Sequence, residues 1–165
     1  MSLWKIPVPD DGKRFEDLCC ELWKRKLKTY NVKHYLSQGY HQKGVDLYFQ
    51  SDEGIYAIQC KCVQKLTIKD ISEEIKLAKT FEPKLKSYTI ATTVKRNDKL
   101  TDYVLKESFK NDFEINIDFW QDIEFELKKS SNSDILKDYF PEVYRDEVHI
   151  LNILKDANFH LLNEN

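Results

Sequence analysis

Gly44-Val45-Asp46-Leu47-Tyr48-Phe49-Gln50-Ser51-Asp52-Glu53-Gly54-Ile55-Tyr56-Ala57-Ile58-Gln59-Cys60-Lys61 is the run whose reading decides the fold. Two short apolar-rich segments flank a polar turn containing a glycine, which is the pattern of a β-hairpin. Side chains alternate across a strand with a period of two. Asp46, Tyr48 and Gln50 therefore share one face of the first strand, and Val45, Leu47 and Phe49 the other. In the second strand Ala57, Gln59 and Lys61 share a face, opposite Tyr56, Ile58, Cys60 and Cys62. An acid, a carboxamide and a lysine thus sit inside strands that are otherwise apolar. Burying them without partners costs several kcal/mol. Either they satisfy one another or a ligand satisfies them, and a divalent metal with a phosphate suits an acid beside a lysine.

Helical spacing surrounds the hairpin. Phe15, Leu18, Cys19, Leu22, Trp23 and Leu27 recur as an apolar stripe and predict a helix over 13–28, capped by Asp10 or Asp11. Residues 31–37 read as a strand and 38–44, with two glycines, as a loop. Beyond the hairpin, 69–82 reads as a helix with Ile71, Ile75 and Ala78 on one side. The β-branched run 88–94 reads as an interior strand. A helix over 97–110 turns Leu100, Val104 and Phe109 inward, 114–120 alternates as a strand, and 123–129 is a short helix. The later β-α-β-α-β order favours parallel neighbours. The predicted fold class is α/β, with a mixed central β-sheet flanked by helices on both faces.

Ser130-Ser131-Asn132-Ser133 breaks this pattern. We divide the chain there into a domain over 1–129 and a helical segment over 130–165. That segment contains Pro141 and the apolar positions Val148, Leu151 and Leu154. It either docks on the core or leads into a further domain.

At 165 residues, 41% hydrophobic and 13% aromatic, the chain suffices for one domain with a sizeable core. It has no apolar run of membrane-spanning length and no apolar leader at its N-terminus, so a cytoplasmic location is expected. Cys19-Cys20 and Cys60-x-Cys62 read as reduced structural thiols rather than a zinc site. No phosphate-binding glycine loop and no Ser-His-Asp or Cys-His arrangement is legible.

The net charge of −2 conceals an asymmetry. From Asp112 onward there are 13 acids and 5 basic residues, while residues 1–111 carry 21 basic residues and 15 acids. The positive part holds the hairpin and suits a polyanion partner. Lys24, Arg25, Lys28 and Lys43 are candidate phosphate contacts, and His41, in the loop before Asp46, is another.

The candidate chemistry follows from the donor set. Mg²⁺ takes oxygen ligands, commonly one or two carboxylates with waters and substrate phosphate. Asp46 offers a carboxylate, Gln59 a carboxamide oxygen and Cys60 its backbone carbonyl. Lys61 can reach a phosphate or an attacking water. Glu16, at the edge of the first helix's apolar stripe, can reach the sheet as a further or water-mediated ligand.

Phe15-Glu16-x-Leu18 on a helix, then Gly44-Val45-Asp46, then Gln59-Cys60-Lys61, together resemble the PD-(D/E)xK nuclease superfamily. They are most similar to its Mrr-type restriction endonuclease branch, in which Gln replaces the second acid. The resemblance runs over about residues 13–129 and takes in the strand Thr89-Ile90-Ala91-Thr92-Thr93. It implies a restriction-endonuclease-like αβββαβ core with further helices. It implies an endodeoxyribonuclease dependent on Mg²⁺, with Mn²⁺ as a substitute, acting on double-stranded DNA in restriction or anti-phage defence. Asp46, Gln59, Lys61 and Glu16 then carry catalysis. A homodimer and a fused regulatory domain are partners of the same expectation. Three other readings stay open: a catalytically silent nucleic-acid-binding module, a Holliday-junction-type resolvase, and an interaction protein docking through its acidic C-terminal segment.

Overall fold

The computed structural model describes residues 5–35 and 43–163, with side chains to 159. Helix α1 spans Gly12–Lys26. The Asp11 carboxylate caps it by accepting the Arg14 N–H at 2.6 Å. Lys24, Arg25 and Lys26 occupy its last turn, where cations oppose the helix dipole. It stops short of the expected residue 28, because Lys28 adopts a left-handed φ of 52°.

Of the expected strand over 31–37, the described residues, which stop at 35, form β1, Lys33–His34. Most of the predicted loop, His41 included, lies outside the described residues, which resume at Lys43. The hairpin follows as β2, Leu47–Ser51, and β3, Gly54–Lys61, antiparallel with Leu47 opposite Ile58 and Tyr48 opposite Ala57. Helix α2, Ile68–Ala78, starts at a reciprocal cap between Thr67 and Asp70. Strand β4, Leu85–Thr92, runs parallel to β3. Asn97 caps α3, Asp98–Lys110, and β5, Glu114–Asp118, lies parallel to β4. The described strands form one mixed sheet in the order β1-β2-β3-β4-β5. The α/β, restriction-endonuclease-like class expected from the sequence is the one observed.

Two cores sandwich the sheet. On one face α1 buries Phe15, Leu18 and Leu22 against Leu47, Ile58 and Ala91. Helix α4, Trp120–Leu127, joins them there through Trp120, Ile123 and Leu127. On the other face Ile71, Ile75 and Ala78 of α2, with Leu100 and Val104 of α3, cover Ala57, Tyr88, Ile90 and Ile115. Full burial of one such side chain is worth about 1.5–3 kcal/mol.

Several expectations are corrected. Phe109 is 85% exposed, not inward, so α3 buries only Leu100 and Val104. Strand β5 ends at Asp118, and α4 begins at Trp120 rather than 123 because the Asp122 carboxylate accepts the Phe119 N–H and starts the helix. Val45 packs with Ala57 and Ile75 rather than with Leu47. It precedes β2, where the chain has already turned at Gly44.

Gly44 itself is constrained. Its φ is +66°, and a Cβ there would meet the Glu74 carbonyl oxygen and the Leu77 Cβ at 3.0 Å. Gly44→Ala is expected to destabilise the fold by about 1–3 kcal/mol, through left-handed strain and this clash. Urea denaturation measures it; an unchanged midpoint would remove the constraint.

Past Leu127 the chain does not run free. Ser130–Asn132 forms a short 3₁₀ turn, and α5, Ser133–Tyr139, buries Ile135 and Leu136 in the α1-side core. The long helix α6 spans Pro141–Asn163. Val143 and Tyr144 still pack on that core, but Val148, Leu151 and Leu154 are exposed. No helix among the described residues is long and apolar enough to cross a membrane.

Candidate active site

Antiparallel pairing carries Asp46, just before β2, to the end of β3 where Gln59, Cys60 and Lys61 lie. The Asp46 N–H donates to the Ile58 carbonyl at 2.9 Å. β2 begins only at Leu47, so the Cys60 N–H has no ladder acceptor beyond it. The Asp46 carboxylate takes that role, with Oδ2 accepting the Cys60 N–H at 2.7 Å. N–H and C=O of one strand residue point to the same side. The Cys60 carbonyl therefore faces the Asp46 side as well.

Gln59 is 4% exposed, and its Oε1 has no hydrogen-bond partner among the described residues. A buried acceptor left open costs about 1–3 kcal/mol. Lys61 extends on the same face and its Nζ is bound by the Glu74 carboxylate of α2. Its backbone is pinned from β4: the Thr92 hydroxyl donates to the Lys61 carbonyl at 3.0 Å and the Thr93 N–H at 3.1 Å. The Thr92-Thr93 pair thus fixes where the lysine leaves the sheet.

Glu16 projects from α1, with Oε1 2.5 Å from His34 Nδ1 and 3.4 Å from Lys13 Nζ. Its charge reaches Asp46. Burial, foremost, pushes the Asp46 carboxyl up to about 6; the Cys60 N–H and Lys61 pull it down, and Glu16 and Glu74 push it up. The charges of two further carboxylates, Glu16 and Glu74, thus bear on Asp46 against that of one ammonium, Lys61, in a partly desolvated place. Such an excess of negative charge, beside an orphaned carboxamide oxygen, fits a divalent cation. Among the described residues no three His, Cys, Asp or Glu side chains form a ready cage. Asp46, Gln59 and the Cys60 carbonyl are therefore the donors at hand, a sparse oxygen set of the kind Mg²⁺ completes with water.

The proposed phosphate contacts are not gathered here. Lys24 pairs with Glu21 at 2.7 Å, and Arg25 binds the Ser131 carbonyl at 2.6 Å and the Asp134 carboxylate. Both lie about 12 Å beyond Glu16 along α1 by helical rise. Arg25 ties α1 to the start of α5. Lys28 lies just past the end of the same helix, whereas Lys43 adjoins Gly44 and is half-buried beside the Asp46 loop.

Glu74 is the residue that the sequence reading passed over. Its signal was present: it falls among Ile71, Ile75 and Ala78 on the inner stripe of α2, as Glu16 does on α1. An acid inside an apolar stripe asks for a partner.

The sequence model of a family described as restriction endonuclease, Mrr_cat, matches residues 10–98. That span is more than half of the chain and contains Glu16, Asp46, Gln59, Lys61 and Glu74. No curated protein matches the chain.

Proposed function

The chain belongs to the restriction endonuclease family, and from that premise we propose that it is a Mg²⁺-dependent endonuclease hydrolysing phosphodiester bonds of double-stranded DNA, with Mn²⁺ as a substitute. The observation that carries this reading is the buried Gln59 Oε1, unpartnered among the described residues, beside Asp46 and Lys61. A structural hairpin gains nothing from an open acceptor at that position; a cation site does.

Asp46, Gln59 and the Cys60 carbonyl would hold the ion, with Glu16 acting directly or through water. When bound, the ion supplies positive charge to the scissile phosphate and lowers the pKa of a coordinated water. The remaining work belongs to side chains of this chain. The Lys61 ammonium, fixed by Thr92 and Thr93 at its backbone and by Glu74 at its tip, is placed to meet a phosphate oxygen as its charge develops. Cys60 N–H holds the Asp46 carboxylate in one orientation. His34 does the same for Glu16.

Lys43, Lys28 and the basic end of α1 would meet the backbone of the duplex, giving salt-dependent binding with little base readout. A role in restriction or anti-phage defence follows as part of the proposal. Neutral Gln59 favours one rival, a DNA-binding module of the same fold without catalysis.

Incubation with supercoiled plasmid separates them. Nicking or linearisation is expected with Mg²⁺ and none with EDTA. A metal-independent gel shift with no cleavage under either condition would leave the binding module standing instead.

A further inference from the structure

Gln59 leaves this end of the hairpin with one carboxylate, Asp46, although a cation centre on so few donors gains much from a second charge. We propose that Glu74, delivered from α2, is the second anionic group of the metal centre, and that it also holds Lys61 in place. This rests on the reading of the centre given above.

Three observations converge on Glu74. Its side chain is 14% exposed and its Oε1 binds the Lys61 ammonium on the Gln59 face of β3. Its other oxygen lies against the run that carries Asp46: a Cβ on Gly44 would come within 3.2 Å of Oε2. The carboxylate therefore spans from Lys61 to the Gly44-Val45-Asp46 turn. Gln59, 4% exposed and with its Oε1 unpartnered among the described residues, shares the face that Glu74 covers. The Tyr88 hydroxyl donates to the Gly44 carbonyl at 2.7 Å, closing the turn from beneath.

A purely structural ion pair is a poor explanation for this placement. Ile71, Ile75 and Ala78 around Glu74 are buried. A half-buried ion pair returns little net stability over an apolar pair, because desolvation offsets the Coulomb gain. A centre that needs both the acid and the lysine explains why the pair stands there. Glu74 then stands in for the charge that Gln59 lacks.

The test is Mn²⁺ binding by isothermal titration calorimetry on the full chain without DNA. Glu74→Gln is expected to weaken binding about 10-fold or more. Gln59→Glu, which returns an acid to the hairpin, is expected to tighten the otherwise unchanged protein by a similar factor, and to restore affinity in the Glu74→Gln background. Melting curves report whether each variant folds, and Gln59→Glu alone keeps the test open if Glu74→Gln does not. Unchanged Mn²⁺ affinity in folded Glu74→Gln overturns this inference while leaving the Asp46 centre intact. No Mn²⁺ binding by the unaltered chain overturns the centre itself, and this inference with it.

Discussion

Lys61→Ala is expected to lower plasmid cleavage by about 10²–10³-fold or more, the usual cost of removing one preorganised group that meets developing charge. Duplex binding, measured by gel shift at low salt, should remain within a few-fold, since one cation among several phosphate contacts is lost. The structural ground is the way this ammonium is placed. Its backbone carbonyl is tied to Thr92 and Thr93, and its tip to Glu74. Lysine side chains are otherwise free rotors, and that freedom is removed before substrate arrives. Lys61→Arg keeps the charge but replaces a compact ammonium with a planar fork, so partial activity is expected. Cleavage by Lys61→Ala at the unaltered rate would take the catalytic role away from this residue.

The second large effect concerns stability. Asp46 is 8% exposed, and its carboxyl is moved from 3.8 up to about 6. A carboxyl raised on folding stabilises the fold when protonated. That contribution is full below 3.8 and is lost as pH rises through about 6. At pH 8 the buried carboxylate costs about 3 kcal/mol. Asp46→Asn keeps an oxygen acceptor for the Cys60 N–H and removes the charge. It is expected to raise unfolding free energy at pH 8 by about 2–3 kcal/mol, with the gain vanishing near pH 4. Urea denaturation at the two pH values measures this, and an equal effect at both would show that burial of charge is not its source. Cleavage should be lost in the same variant, and Mn²⁺ should stabilise the unaltered chain but not Asp46→Asn. A site residue whose removal strengthens the fold is kept for chemistry rather than for structure.

Much of this was legible along the chain. The stripe Phe15–Leu18–Leu22, the alternation through the hairpin and the Asp11 cap of α1 are local patterns, and each formed as read. Asp46, Gln59 and Lys61 came together because a period of two and a short turn leave little freedom for their placement. Elsewhere local pattern was overruled. Phe109 sits at helical spacing yet points outward, because α3 reaches the sheet only through Leu100 and Val104. Val45 changes sides because Gly44 turns the chain before the strand begins.

The sequence by itself determined which residues share a face and where the carboxylate, carboxamide and lysine of the hairpin meet, since strand and helix periods act between near neighbours. Only the tertiary structure decided that Glu74 binds Lys61, that His34 holds Glu16, that Arg25 anchors α5 rather than standing free, and that α6 leaves the core after Tyr144. These contacts depend on how whole elements dock across the two faces of the sheet. Docking is set by the summed burial of many side chains, and no periodicity within one element records which neighbour it will meet.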